Sequence, residues 1–267
     1  MGNESSKKSA DGDGPSNKHS IIPSLKKGPS SSVVQRHLEN ARKSRVLQLK
    51  GCNVKEIPPV LQEVSDVIRN LDLSQNKIRE LPSYIGEFKV LKHLHLSDNA
   101  LSYVPDELGC LKTLEVLNIS SNQLSSLPPS LVGCSSLKTL NMSNNKFAQF
   151  PTVICHLLRL ETADLSKNSI ESLPDEIADL QATELSLNQN RLSTLNPNLS
   201  KCKRLKILRV QENCLPKAEF TREILENSQI SLISFEGNLF QEKEFQELYG
   251  YEEYQKRYTA TRLKGVY

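Results

Sequence analysis

Residues 91–105 read LKHLHLSDNALSYVP, with apolar side chains at positions 91, 94, 96, 101 and 104 around a single asparagine, Asn99. The pattern returns in LEVLNISSNQLSSLP, LKTLNMSNNKFAQFP and LETADLSKNSIESLP, which begin at Leu114, Leu137 and Leu160. A constant period of 20–29 residues is the signature of a stacked array in which each unit contributes one small strand and its return. The sequence therefore predicts an elongated repeat structure.

One position in each unit marks the repeat along the chain, and it is occupied by Cys52, Asn76, Asn99, Asn122, Asn145, Asn168, Asn190, Asn213 and Asn238. Nine units are therefore predicted. Alternation of polar and apolar residues before each marker predicts a short strand with its apolar side chains facing inward. The asparagine amide is expected to bind backbone groups that the following turn leaves unpaired. Segments such as Leu173 to Ile177, with a proline at the start, predict short helical turns on the outer side.

The unit LxxLPxxIxxLxxLxxLxLxxNxL resembles the leucine-rich repeat in its intracellular Ras-group form. That resemblance implies an α/β solenoid, a leucine-rich repeat horseshoe of about nine repeats with a concave parallel sheet and helical caps at both ends. The predicted domains are a disordered tether (1–30), a capping helix (31–45) begun by Ser31 or Ser32, the repeats (46–240), and a helical cap and tail (241–267). Caps are expected because a terminal repeat cannot bury its apolar edge alone.

Composition indicates a soluble protein of the reducing interior of the cell. Of the 267 residues, 37% are hydrophobic and 24% charged, and no apolar run approaches the roughly 18–20 residues that cross a bilayer. The first thirty residues lack the apolar region of a secretory signal. The six cysteines include no CxxC pair, which favours a cytoplasmic location.

The amino terminus, MGNESSKK, matches the pattern for myristoylation of Gly2, with Ser6 at the required spacing. The start Met1 to Asn3 and the tracts 204–215, 236–240 and 250–264 are also similar to a lipid-anchored intracellular repeat protein of this group. That resemblance implies a lipid anchor and brings no established biochemical activity. One myristoyl chain gives only marginal binding, so attachment to the membrane surface is expected to be reversible and assisted by nearby lysines.

The outward positions of the predicted strands carry the candidate binding residues. We expect a protein partner to contact Asp72, His95, Asn118, Asn141, Asp164 and Arg209. Neither outward column contains an aromatic anchor of the kind that dominates tight interfaces, so a largely hydrogen-bonded contact is predicted. The alternative is a solvated concave face, with binding at the edges or caps.

Other classes of site are disfavoured. His93 and His95 supply two imidazoles, whereas zinc requires three or four ligands, so neither a metal nor another cofactor is expected. No nucleophile, phosphate-binding or metalloprotease motif is present, so an enzyme is not expected. No basic face is apparent in the linear sequence, which argues against nucleic acid as a partner.

The carboxy-terminal cations Lys256, Arg257, Arg262 and Lys264 could form a second membrane or partner contact, or complement the end of a capping helix, and we favour the latter. The sequence thus predicts a monomeric, non-catalytic adaptor in intracellular signalling. The alternative is a soluble regulatory subunit of an enzyme such as a protein phosphatase.

Overall fold

A computed structural model of the chain describes residues 29–263; Gly2, the predicted tether before residue 29, and Lys264 lie outside the described residues. Nine parallel strands form one sheet in chain order. They are β1 (Val46–Gln48), β2 (Asn70–Asp72), β3 (His93–His95), β4 (Val116–Asn118), β5 (Thr139–Asn141), β6 (Thr162–Asp164), β7 (Glu184–Ser186), β8 (Ile207–Arg209) and β9 (Leu232–Ser234).

Each strand pairs with the next at the same position of the repeat, so that Leu94, for example, lies between Leu71 and Leu117. The central residue of every strand is buried, whereas its two neighbours are more accessible. The expected alternation is therefore confirmed. The chain is a solenoid of stacked repeats whose sheet forms the concave face.

Short 3₁₀ turns form the outer side of the solenoid. They span Pro59–Val64, Ser83–Glu87, Asp106–Cys110, Pro129–Gly133, Thr152–His156, Asp175–Asp179, Pro197–Lys201 and Lys217–Glu219. The sequence placed proline inside the start of each turn. In five units it instead precedes the turn with an extended ψ, as at Pro105 (ψ 154°), because the turn begins one residue later. In the eighth unit a true helix, α2 (Arg222–Asn227), follows the 3₁₀ turn.

One close approach between neighbouring outer turns requires glycine. A Cβ atom on Gly109 would lie 2.1 Å from the carbonyl oxygen of Ser130. A separation below 3 Å forces the backbone to move, so these two turns can pack together only without a side chain at this position.

The amino-terminal cap is helix α1 (Ser31–Ser44), which buries Val34, Leu38 and Ala41 against the first repeat. The N-cap is Ser30, whose hydroxyl accepts a hydrogen bond from the Val33 amide at 3.4 Å. The sequence-based choice of Ser31 or Ser32 was wrong by one or two residues. Both residues already have helical geometry, and the N-cap must precede the first helical residue.

The carboxy-terminal cap comprises α3 (Glu242–Gln246) and α4 (Tyr251–Leu263) around an aromatic cluster. The cluster contains Phe220, Phe235, Phe240, Phe245, Tyr251, Tyr254 and Tyr258. The Tyr254 hydroxyl accepts a hydrogen bond from the Ile233 amide in β9 at 3.1 Å. The hydroxyl therefore satisfies a backbone amide that the last strand would otherwise present to another strand.

Arg257 holds α4 against α2 and the loop that leads into β9. Its guanidinium donates to the carbonyl oxygens of Ile230 at 2.9 Å and Glu226 at 3.2 Å, and also to that of Leu225. Partial burial lowers the pKa of Arg257 from its usual range. Lys256 pairs with Glu253 at 2.5 Å. Arg257 is therefore a packing contact between α4 and the preceding repeat. Between residues 29 and 263, no helix has both the length and the apolar character needed to cross a membrane.

Candidate functional site

The asparagine of each repeat fixes the strand that carries the candidate site. The side-chain oxygen of Asn122 accepts from the Leu101 amide at 3.0 Å, and its amide nitrogen donates to the carbonyls of Leu96, Ile119 and Ser120, each at 3.0 Å. The Ile119 carbonyl also accepts from Asn145 of the next repeat at 3.1 Å. Asparagines 76–238 repeat this arrangement as a continuous ladder, which confirms the predicted role of the amide.

The residue before each ladder asparagine has left-handed backbone geometry. In the internal repeats φ lies between 53° and 57° at Gln75, Asp98, Ser121, Asn144, Lys167, Gln189 and Glu212. This geometry costs a residue with a Cβ on the order of 1 kcal/mol. The first and last repeats carry Gly51 and Gly237 at the same position.

The six predicted contact residues are all half-buried on the concave face. Five of them occupy the third position of consecutive strands β2 to β6, and the strand register makes each a neighbour of the next. We call these five residues, Asp72, His95, Asn118, Asn141 and Asp164, the concave row. Strands about 4.8 Å apart give the row a length of about 19 Å. Arg209 lies apart from it, beyond Ser186 on β7.

Four members of the concave row are held by a serine two residues later. The Asp72 side-chain oxygen accepts from the Ser74 amide at 2.9 Å and from the Ser74 hydroxyl at 2.6 Å. The same two bonds join Asn118 to Ser120 and Asn141 to Ser143, and Asp164 accepts from the Ser166 amide at 2.9 Å. These contacts use one oxygen of each side chain and fix its orientation. The second carboxylate oxygen or amide nitrogen remains for an outside group.

Arg209 differs from the concave row in its electrostatic environment. Its Nε donates to the Glu184 carboxylate of the neighbouring strand at 2.8 Å. This ion pair compensates the guanidinium charge, whereas Asp72 and Asp164 form no ion pair with any residue in the range 29–263. The concave row is therefore acidic.

The remaining polar groups do not assemble into a reactive centre. Over the described range, no three His, Cys, Asp or Glu side chains are arranged to hold a metal ion. Cys134, Cys155 and Cys202 are buried, and burial raises the pKa of each thiol to about 12. The Cys134 thiol donates to the Leu108 carbonyl of the preceding repeat at 3.2 Å. At neutral pH these thiols are neutral packing groups, whereas Cys110 and Cys214 are exposed.

A charged surface that the sequence analysis missed lies along one edge of the solenoid, where loops lead into the strands. Ten Lys or Arg residues stand there, against the three acids Asp66, Glu115 and Glu161. We call these ten residues the basic edge: Arg45, Arg69, Lys89, Lys92, Lys112, Lys138, Arg159, Lys203, Arg204 and Lys206. A search for basic runs overlooks most of them because they recur at fixed positions of the repeat, about 23 residues apart.

Comparisons with known proteins agree with this geometry. Residues 66–124 and 89–147 match the leucine rich repeat family. The leucine-rich repeat domain of APL1B has a TM-score of 0.63 at 21% identity, covering 80% of this chain and 61% of that one. The APL1 leucine-rich repeat domain has a TM-score of 0.63 at 24% identity, covering 75% and 51%.

A third similar structure is the TLR13–ssRNA13 complex, with a TM-score of 0.58 at 25% identity, covering 64% of this chain and 25% of that one. The chain thus spans between a quarter and about three-fifths of the length of these three solved chains. At these identities, the similarity between this chain and the two APL1 domains shows a common fold and nothing more.

Proposed function

We propose that this chain, whose leucine-rich repeat fold typically serves as a non-enzymatic interaction module, is a non-catalytic adaptor in intracellular signalling. The concave row binds a protein partner, and myristoylation of Gly2 holds the complex reversibly at a membrane in the cytoplasm. Arg209 contributes at the far end of the same face, where a partner that reaches it must compete with Glu184.

One observation carries the proposal: the concave row is oriented before any partner arrives. Binding normally costs about 0.5–1.5 kcal/mol for each flexible side chain that becomes fixed. The serine contacts at Asp72, Asn118, Asn141 and Asp164 have already fixed four such groups. A polar surface without aromatic anchors can therefore still bind with useful affinity.

The charge of the row indicates the chemistry of the partner. Asp72 and Asp164 stand at its two ends with half-buried carboxylates, and the His95 imidazole and the amides of Asn118 and Asn141 lie between them. An extended segment that presents a Lys or Arg near each end and N–H or C=O groups in between would satisfy both features. Hydrogen bonds to charged groups contribute about 1.5–3 kcal/mol each, so the two carboxylates supply most of the expected discrimination.

The first test identifies the partner by position. A photo-crosslinking amino acid replaces His95 in the concave row and, as the matched control, Glu176 on an outer turn, in full-length protein expressed in cells. We expect a protein that is captured from position 95 and is not captured from position 176. If both positions capture the same proteins equally, the concave face is not the binding surface.

The second test measures affinity with that partner in purified form. Asp72→Asn with Asp164→Asn removes both charges but keeps the side-chain oxygen that accepts from the following serine, so the fold is preserved. We expect Kd to rise at least tenfold, whereas the outer-turn control Asp175→Asn with Glu176→Gln leaves it unchanged. An unchanged Kd for the concave variant would reject the row. A phosphatase catalytic subunit as the captured protein would favour the alternative of a soluble regulatory subunit.

The proposed anchor requires its own measurement. The intact mass of the amino-terminal peptide from eukaryotic cells should lack Met1 and carry one myristoyl group, and Gly2→Ala should abolish the added mass. A free or acetylated terminus would reject the lipid anchor but would not affect the proposed binding of a partner at the concave row.

A further inference from the structure

We propose that the basic edge is a docking surface for an anionic lipid bilayer, so that the solenoid lies with this edge against the membrane. The inference extends the proposed membrane attachment, but it concerns the folded repeats and does not require the acyl chain.

Backbone hydrogen bonds hold the charges of the basic edge in one row. The amide of Lys92 donates to the carbonyl of Arg69 at 2.8 Å, and the pattern continues from Glu115 to Lys92 at 2.8 Å and from Lys138 to Glu115 at 2.9 Å. Each loop is therefore in register with the next. The cations lie in loops that lead into strands from β1 to β8. At about 4.8 Å per strand they extend over about 34 Å, which makes an extended contact line suited to a flat surface.

The charge of the edge is a local property and not a general excess. Residues 29–263 contain 28 Lys or Arg and 28 Asp or Glu, and are therefore neutral as a whole. Ten of those cations and only three of the acids lie along the edge, which leaves the rest of the described chain acidic. An anionic bilayer would attract this edge and repel the other faces, so the charge distribution selects one orientation.

Most of the cations are available to an outside anion. Eight of the ten are exposed. The exceptions are Lys92 and Lys138, which both bind Glu115 at 2.6 and 3.0 Å. The two lysines lower the pKa of Glu115 to about 2, so this acid stays ionised and cancels one positive charge at the middle of the edge.

An exposed leucine lies within the same edge. Leu158 is 76% exposed, and it occupies the repeat position at which Lys89, Lys112 and Lys203 stand in other units. A single exposed leucine is unremarkable elsewhere on a surface. Beside Arg159, it can enter the boundary between head groups and acyl chains while the cations of the edge bind lipid phosphates and carboxylates.

The same geometry favours a bilayer over an acidic protein. The basic edge is a row of loop tips along one side of the stack, and the chain that bears it also carries an acylation motif followed by Lys7 and Lys8. Docking through this edge leaves the concave row uncovered. A partner could therefore occupy the concave face while the protein is on the membrane.

The test uses full-length protein without the acyl chain, produced in bacteria, and phosphatidylcholine vesicles with or without phosphatidylserine. The edge variant removes three exposed cations that form no ion pair within residues 29–263: Arg159→Gln, Lys203→Gln and Arg204→Gln. The matched control removes three exposed cations from the loops that leave the strands: Lys77→Gln, Arg79→Gln and Arg191→Gln. Sedimentation at low salt gives the vesicle affinity of each protein.

We expect the wild type to bind only the vesicles that contain phosphatidylserine. Each cation near an anionic surface contributes about fivefold, so the edge variant should bind on the order of 100-fold more weakly. The control should stay within about threefold of the wild type because its charges face away from the bilayer. Glu115→Gln should change affinity in the opposite direction, with a gain of about fivefold, because it uncovers one positive charge.

Three outcomes would overturn the proposal. One is an equal loss in the two triple variants, which would mean diffuse attraction. Another is the absence of phosphatidylserine-dependent binding. The third is edge-dependent binding of polyglutamate or an RNA oligonucleotide that exceeds vesicle binding, which would assign the edge to another polyanion. Since no acyl chain is present, failure here does not affect the proposed anchor or the concave row, and failure of either leaves this result unchanged.

Discussion

Replacing Asn122 by alanine would remove four hydrogen bonds at the junction of three repeats. The Leu101 amide loses its acceptor, and the carbonyls of Leu96, Ile119 and Ser120 each lose a donor. Asn122 is almost completely buried, so water cannot replace these partners without disturbing the packing around them.

The magnitude follows from what each group retains. Only the Leu101 amide is left with no partner, which costs about 1–3 kcal/mol. The carbonyls of Leu96 and Ile119 keep the amides of Asn99 and Asn145, and that of Ser120 keeps the amide of Asp98. Each of these three losses costs about 0.5–1 kcal/mol. We therefore expect the free energy of unfolding to fall by about 3–5 kcal/mol.

The first repeat supplies the matched control. Cys52 stands at the ladder position, where its thiol packs against the core and donates a hydrogen bond to the Lys50 carbonyl at 3.5 Å. Cys52→Ala should cost less than about 1 kcal/mol because no buried donor depends on it. Urea unfolding followed by circular dichroism gives both free energies, and hydrogen exchange at the Leu101 amide reports the local effect in Asn122→Ala.

A second substitution separates the two functions of the amide. Asn122→Asp keeps an acceptor for Leu101 but directs an anionic oxygen toward three carbonyls, so it should be at least as destabilising as alanine at neutral pH. Equal costs for Asn122→Ala and Cys52→Ala, or wild-type unfolding of Asn122→Asp, would show that the asparagine ladder does not stabilise the repeats.

Three further changes test other parts of the structure. Lys167→Gly should raise the free energy of unfolding by about 0.5–1 kcal/mol in urea melts, because glycine adopts the left-handed geometry (φ 57°) without a Cβ clash; destabilisation would contradict this. Tyr254→Phe should lower the free energy of unfolding by about 1 kcal/mol and speed hydrogen exchange at the Ile233 amide, because this amide loses its hydroxyl acceptor. Unchanged exchange would show that the contact does not protect the amide. Burial raises the pKa of the three buried thiols to about 12 from 9.0. Thiols of the unfolded chain therefore ionise at a lower pH than those of the folded chain. The contribution of the buried thiols to stability is complete below pH 9 and declines as pH rises toward 12. Replacing all three by alanine should flatten this alkaline decline in the urea midpoint.

The repeat could be predicted because its signals are local and repeated. Leucine alternation and the marker asparagine give the phase of every strand, and nine copies correct the deviations at positions such as Cys52. The serine contacts of the concave row were also accessible, since an Asp or Asn two residues before Ser recurs in DLS, NIS and NMS. Such spacing favours a side chain that binds the backbone two residues on.

Two features could not be predicted from the linear sequence. The start of five outer turns shifts by one residue relative to proline, and the hydrophobic pattern cannot resolve a step that small. The basic edge contains residues as far apart in sequence as Arg45 and Lys206, and only the stacking of repeats places them along one row.

The asparagine ladder has a consequence for how this protein can change over evolutionary time. Each internal unit presents the same hydrogen-bonding groups to the unit before it and the unit after it. A duplicated or deleted internal unit would therefore restore the ladder at the new junction, while α1 and the aromatic cluster remain at the ends. The length of the concave face can then vary in whole repeats, whereas the structures that cover its two ends would stay the same.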